Sequence, residues 1–231
     1  MDIAIYRRRE CSKAKGLCVV IDVLRAFTTA AYAFAAGAKE IILVSSAKEA
    51  LQMYKDDPSL LLMGEEGGKT INGFHYGNSP DEISRAILTD RRIVQRTSAG
   101  TQGVVACSHA SQMMISSFVV AEATLKHIMA SSPDFVSLIV TGELNGDEDL
   151  ALAEYLQERL LEKEVSFSPF LERVKASPEG KAFADPNIPE FSFRDLELAL
   201  RADCFSFAME VTKKDGRLIA QKVSLPTSFS L

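Results

Sequence analysis

The strongest constraint on this chain's fold is a repeated alternation of short apolar runs with helix-forming stretches. Runs at 17–22 (LCVVID), 41–44 (IILV), 59–63 (SLLLM), 92–97 (RIVQRT), 112–116 (QMMIS) and 135–140 (FVSLIV) read as strands. Runs this short and this apolar suit strands buried on both faces. Between them lie an alanine-rich stretch, 26–36, closed by Gly37 as a C′ residue, and helices from Ser46, near Pro80, from about Thr101, over 118–130 and over 148–163. Ser46 with Glu49, and Ser79 with Glu82, have capping-box spacing, and Pro80 suits a first helical turn. The alternation predicts an α/β fold: a three-layer α/β/α sandwich around a mainly parallel (mixed) sheet of six or more strands.

Beyond Lys163 the pattern changes. Residues 164–190 carry Pro169, Pro178, Pro186 and Pro189 and read as an irregular or locally helical connection. A helix is expected over 193–205, and a hairpin over 211–223 around Asp215-Gly216, adding antiparallel strands at an edge of the sheet. The whole of 1–231 suits one domain, with the helix-hairpin 191–231 packed on it.

Hydrophobic residues make up 47% of the chain, enough for a sizeable core. The formal net charge of −5 argues against a nucleic-acid surface, whose signature is a basic face. No apolar run approaches the ~20 residues that span a bilayer, and MDIAIYRRRE lacks the features of a secretory signal, so a cytoplasmic location is expected. Cys11, Cys18, Cys107 and Cys204 stand far apart in sequence, which points to reduced thiols rather than a disulfide framework. His75, His109 and His127 show no metal-ligand spacing.

The stretch LLLMGEEGGKTINGF (60–74) contains GGKT, the ending of a phosphate-binding P-loop. Met63 stands at the first glycine position, Glu65 and Glu66 would repel phosphate, and the TINGFHYGNSP that follows cannot continue as a helix. It is therefore a loop at a strand end that presents carboxylates.

Ligands of open parallel sheets bind beyond the carboxyl ends of the strands. Those ends carry Asp22 and Arg25; Glu65 and Glu66; Thr97, Ser98, Gly100 and Thr101; Ser116 and Ser117; and Thr141, Gly142 and Glu143. Carboxylates suit a hard cation such as Mg²⁺, and hydroxyls with backbone N–H groups suit an oxyanion. Each piece also has a plain structural role: Asp22 as a helix cap, Gly-Asn-Ser-Pro (77–80) and Thr-Ser-Ala-Gly-Thr (97–101) as helix starts, Glu148 and Asp149 as complements to a helix dipole. Only their joint placement points to a site.

VVIDVLRAFTTA (19–30), GEEGG (64–68), GFHYGNSP (73–80), TSAGT (97–101), SFVVAEA (117–123) and EDLALAEYL (148–156) together resemble the 2-phosphosulfolactate phosphatase family. That resemblance implies a Mg²⁺-dependent acid phosphatase of coenzyme M biosynthesis, converting 2-phosphosulfolactate to sulfolactate and phosphate. Glu66 stands where the family usually has arginine, which removes a planar fork of donors and leaves a charge that repels anions.

On this reading Asp22, Arg25 and Glu65 are the catalytic residues. Asp22, Glu65 and Asp149, with Glu148 as a further candidate, would hold Mg²⁺. Arg25 and the 97–101 loop (Thr97, Ser98, Gly100, Thr101) would hold the phosphoryl oxygens. Asn78 and Ser79 would orient the rest of the substrate, with Gly64 and Ser117 lining the site. A water nucleophile is preferred to an aspartyl-phosphate on Asp22, because DVLRA lacks a D-x-D arrangement. The expected partners are a small phosphorylated or sulfonated acid and a second copy of the chain as a homodimer, with no nucleic acid or membrane. The alternative is a non-catalytic anion-binding or regulatory protein on the same scaffold.

Overall fold

The structure is a computed structural model and describes residues 1–142 and 147–224. Its first elements are β1 (Asp2–Arg7), β2 (Leu17–Ile21), α1 (Ala26–Ala35), β3 (Glu40–Leu43), α2 (Ala47–Asp56), β4 (Leu61–Glu66), β5 (Lys69–Thr70) and α3 (Pro80–Ser84). There follow β6 (Arg92–Arg96), α4 (Gly100–Ala106), β7 (Gln112–Ser116), α5 (Ala121–Ser131), β8 (Phe135–Val140) and α6 (Asp147–Leu160). The last are α7 (Ser168–Ala176), α8 (Pro178–Ala184), α9 (Phe193–Ala199), β9 (Phe207–Lys214) and β10 (Arg217–Ser224).

The strands form one 10-stranded mixed sheet in the order β1-β8-β2-β7-β9-β10-β3-β6-β4-β5. Period-2 geometry sorts their side chains between two faces. Cys18 and Val20 of β2 enter one apolar cluster with α1 and Val104 of α4. Leu17, Val19 and Ile21 enter another, with α5 and α6. Ile42, Leu62 and Val94 pack with Ala50 and Met53 of α2. Helices thus cover both faces, as the alternation of short apolar runs requires.

The local signals hold. Ser46 and Ser79 cap α2 and α3 by accepting from the N–H of Glu49 and Glu82 (both 3.2 Å), and Pro80 opens α3. Gly37 follows α1 with φ +100°. Residues 168–184 take the locally helical form of the connection as α7 and α8, with Ser177 capping α8. One expectation is corrected, the place of the C-terminal hairpin. The C-terminal hairpin is not at an edge: β9 pairs antiparallel with β7, and β10 antiparallel with β3, so it fills the centre of the sheet. The edge position is taken by β1, which pairs parallel with β8 and is absent from the strand pattern of the sequence.

That insertion matters for the site. It separates two parallel blocks, β1-β8-β2-β7 and β3-β6-β4, whose strands run formally opposed. Sheet twist of about 20–25° per strand accumulates to roughly 100–125° between β2 and β6 and turns one block toward the other. Their carboxyl ends consequently meet: Gln95 Nε2 in β6 donates to Ala26 O at the start of α1 (3.0 Å). Residues 26–34 of α1 are all buried, wedged between the blocks by small side chains. No helix among the described residues is long and apolar enough to cross a membrane.

Candidate active site

Asp22 follows the last residue of β2 and is 5% exposed. Its Oδ1 accepts the N–H of Ala26 (2.8 Å), so it does serve α1 locally. It also accepts from the backbone N–H of Gly100 and, weakly, from Thr141 Oγ1 at 3.4 Å. Gly100 is required here because a Cβ would lie 2.8 Å from Asp22 Oδ2 and 2.7 Å from Ala26 Cβ.

Asp149, in the first turn of α6, arrives from the opposite side. Its Oδ1 accepts from Val23 N (2.8 Å), and its Oδ2 from Gly142 N (3.0 Å), Thr141 N (3.2 Å) and Thr141 Oγ1 (3.2 Å). The Thr141 hydroxyl has one proton and its nearest acceptor is Ile21 O (3.0 Å), but its oxygen lies between the two carboxylates, 3.2 Å from Asp149 Oδ2 and 3.4 Å from Asp22 Oδ2. Both carboxylates are buried, and burial is the main cause that lifts Asp22 to about 6 and Asp149 to about 8; each also feels a neighbouring carboxylate, Glu65 for Asp22 and Asp22 for Asp149. Glu148 beside them is pushed to about 10 by burial, then by Asp149 and Glu179, and its Oε2 has no partner. The site thus gathers buried acids that hold their protons to unusually high pH.

Such raised groups fix the sign of a pH dependence. Above about pH 4 the unfolded carboxylates ionise, whereas folded Asp22 keeps its proton to about pH 6 and folded Asp149 to about pH 8, so across that window the folded state binds more protons and stability falls as pH rises. Metal-free protein should melt at a lower temperature at pH 8.5 than at pH 5.5. Added Mg²⁺ should raise the melting temperature more at pH 8.5. An equal Mg²⁺ effect at both pH values would break the link between these carboxylates and a cation.

Glu65 locks two loops together. Its oxygens accept from Ser98 N (2.6 Å), Ser98 Oγ (3.1 Å) and Gly68 N (2.7 Å). Thr97 and Thr101 close the adjoining turn reciprocally, Thr97 N donating to Thr101 Oγ1 (2.9 Å) and Thr101 N to Thr97 Oγ1 (3.0 Å). The hydroxyls of this loop are therefore engaged already, those of Thr97 and Thr101 within it and that of Ser98 with Glu65. Glu66 is not a bare repulsive charge, because its Oε1 meets Arg96 Nη2 at 2.9 Å. Arg96 Nη1 also grips Glu65 O (2.8 Å), and Arg8 Nη1 grips Ser98 O (3.0 Å).

Arg25 is placed differently from the expectation that it holds phosphoryl oxygens. Its guanidinium, 6% exposed, pairs with Asp195 and lies between the rings of Phe183 and Phe191. Ser79 Oγ turns to the same Asp195 (2.6 Å). Asn78 Oδ1 and Ser117 Oγ are buried without a partner, and Ser116 Oγ bonds Thr124 Oγ1 (2.9 Å). Gly64 sits in β4 opposite Arg96 with φ +148°. Glu143 lies outside the described residues. Sequence reasoning missed Asp195 and Arg96: neither stands beyond the carboxyl end of a strand, and FRDLELAL reads as an ordinary amphipathic helix.

The fit of a divalent cation can be tested on these donors. Asp22 keeps acceptor capacity on its carboxylate, Asp149 Oδ1 carries a single donor, and Glu148 Oε2 is unpartnered. Among the described residues no group of three or more His, Cys, Asp or Glu is placed to hold an ion. Mg²⁺ commonly takes one or two carboxylates and completes its octahedron with water and substrate oxygens. The donor set fits that habit.

An α/β sheet with buried acids, a hydroxyl and glycine loops gathered at its strand ends defines a class: proteins that handle small anionic ligands at a sheet's carboxyl edge. A family profile described as 2-phosphosulpholactate phosphatase matches residues 4–213, and the chain belongs to that family. It is 36% identical over 222 residues to a Bacillus subtilis protein named "Probable 2-phosphosulfolactate phosphatase", covering 94% of this chain and 96% of the relative. A Carboxydothermus hydrogenoformans protein of the same name is 30% identical over 236 residues, covering 97% and 98%. One from Deinococcus radiodurans, also so named, is 36% identical over 151 residues, covering 63% and 62%.

Proposed function

We propose that this protein is a Mg²⁺-dependent phosphomonoesterase acting on 2-phosphosulfolactate or a close analogue, a small hydroxy acid carrying phosphate and a second anionic group. The observation that carries the reading is the buried pair Asp22 and Asp149, brought to either side of the Thr141 hydroxyl oxygen. Ionising both buried carboxylates side by side is unfavourable unless a counter-charge joins them, and without one they hold protons. Family membership supports the same reaction.

Asp22 would hold the cation, with Asp149 braced behind it by the N–H groups of Val23, Thr141 and Gly142. A bound Mg²⁺ would supply charge neutralisation at the phosphoryl oxygens and a more acidic water. Glu65 orders the loops on which the phosphoryl group would rest, by joining Gly68 to Ser98. The net reaction consumes one water, breaks the P–O bond and returns the hydroxyl of the acid. Free Cys11, Cys18, Cys107 and Cys204 support a reducing compartment such as the cytoplasm.

Phosphate release from a panel of small phosphorylated acids, with Mg²⁺ and with EDTA, tests the reading. Release that requires Mg²⁺ and is fastest for 2-phosphosulfolactate is expected. No release under either condition, alongside thermal stabilisation by the same acids, would favour an anion-binding protein instead.

A further inference from the structure

Arg25 and Asp195 stand 170 residues apart and form a buried ion pair, Nη1 to Oδ2 at 3.0 Å. The pair is surrounded completely. Asp195, 0% exposed, also accepts from Ser79 Oγ (2.6 Å) and Asp81 N (3.1 Å) on its other oxygen. Arg25 donates further to Glu190 O (3.4 Å) and Gly68 O (3.3 Å). Phe183 and Phe191 flank the guanidinium at 5.1 and 5.3 Å.

A buried ion pair is a poor source of net stability, and its best use is to fix geometry. Here the fixed point is Gly68. Its carbonyl is held by Arg25, and its N–H bonds Glu65 Oε2 (2.7 Å). Glu65 Oε1 in turn takes Ser98 N at 2.6 Å, and the charge of Glu65 reaches Asp22. A chain of charge-assisted bonds therefore runs Asp195–Arg25–Gly68–Glu65–Ser98, from α9 to the loop beside the catalytic turn.

We propose that Asp195 is a positioning residue of the hydrolytic site: through Arg25 it holds the 64–68 loop in the place where Glu65 can order Ser98. This rests on the phosphatase reading, and the test separates the two. Asp195→Asn, Arg25→Gln and the double variant are compared for kcat, KM and amide exchange at Gly68 and Ser98. Asp195→Asn should lower kcat at least tenfold with KM within threefold. Exchange at Gly68 and Ser98 should rise at least tenfold while the amides of β8 hold. Because Asp195 acts through Arg25, the double variant should lose no more than about twofold beyond the worse single variant.

Multiplying losses in the double variant, wild-type kcat in Asp195→Asn, or unchanged exchange at Gly68 and Ser98 would each overturn the proposal. If Asp195→Asn fails to fold, the double variant, which leaves no unpaired charge, carries the exchange measurement with the same criterion. Should the wild type release no phosphate from any substrate, the functional reading fails, while the exchange arm still decides whether Asp195 holds the loop.

Discussion

Asp22→Asn should reduce Mg²⁺-dependent phosphate release by on the order of 10³-fold, the scale for losing one preorganised electrostatic contact, here a ligand of the cation that would neutralise the phosphoryl oxygens. The substitution is close in shape. The asparagine carbonyl oxygen would still accept the N–H of Ala26, which lies 2.8 Å from Asp22 Oδ1, and the new amide can donate to Thr141 Oγ1. The change would relieve the repulsion between Asp22 and Asp149 and forfeit the bond from Gly100 N–H. These opposed terms should leave the melting temperature within about 4 °C of wild type. Lost turnover with a retained melt would assign the loss to chemistry rather than folding. Turnover within threefold of wild type would remove Asp22 from the mechanism.

Gly64→Ala should have the largest effect on stability. Gly64 has φ +148°, a conformation that side chains rarely adopt, and its partner in β6 leaves no room. A Cβ would lie 1.9 Å from Arg96 O and 2.9 Å from Arg96 C, both backbone atoms that cannot rotate away. The end of β4 would have to separate from β6, pulling Glu65 from Ser98. Strain and overpacking together should cost about 3 kcal/mol, a fall in melting temperature of roughly 6–12 °C. Any folded fraction should turn over slowly, because the loop that Glu65 orders is displaced. A melt within 2 °C of wild type and normal turnover would show that the strand ends accommodate the change.

The site is legible in the sequence to the extent that its residues follow strands. Asp22, Glu65, Thr97, Ser98, Gly100 and Thr141 all stand just beyond, or at the end of, an apolar run, and topology brings them together. Asp149 reads as a plain helix-start acid, and its carboxylate does accept backbone N–H groups in that manner. Its second role, beside Asp22, depends on β8 lying against β2. Arg25 reads as a ligand group because it follows Asp22 by three residues. Its partner lies on α9, and nothing local to DVLRA or FRDLELAL announces that pairing.

Local chemistry settled the strands β2, β3, β4, β6, β7 and β8 and the helices between them, though not β1, and it settled where α2 and α3 begin and that both sheet faces are covered. Apolar periodicity and capping act over a few residues, so the amino-acid order alone decides them. Strand order is another matter. The hairpin at the centre of the sheet, the gathering of widely spaced Cys11, Cys18 and Cys107 into one core cluster, and the meeting of two formally opposed blocks around Asp22 arise from pairing and accumulated twist. Those interactions join residues a hundred or more positions apart, and no short stretch carries them.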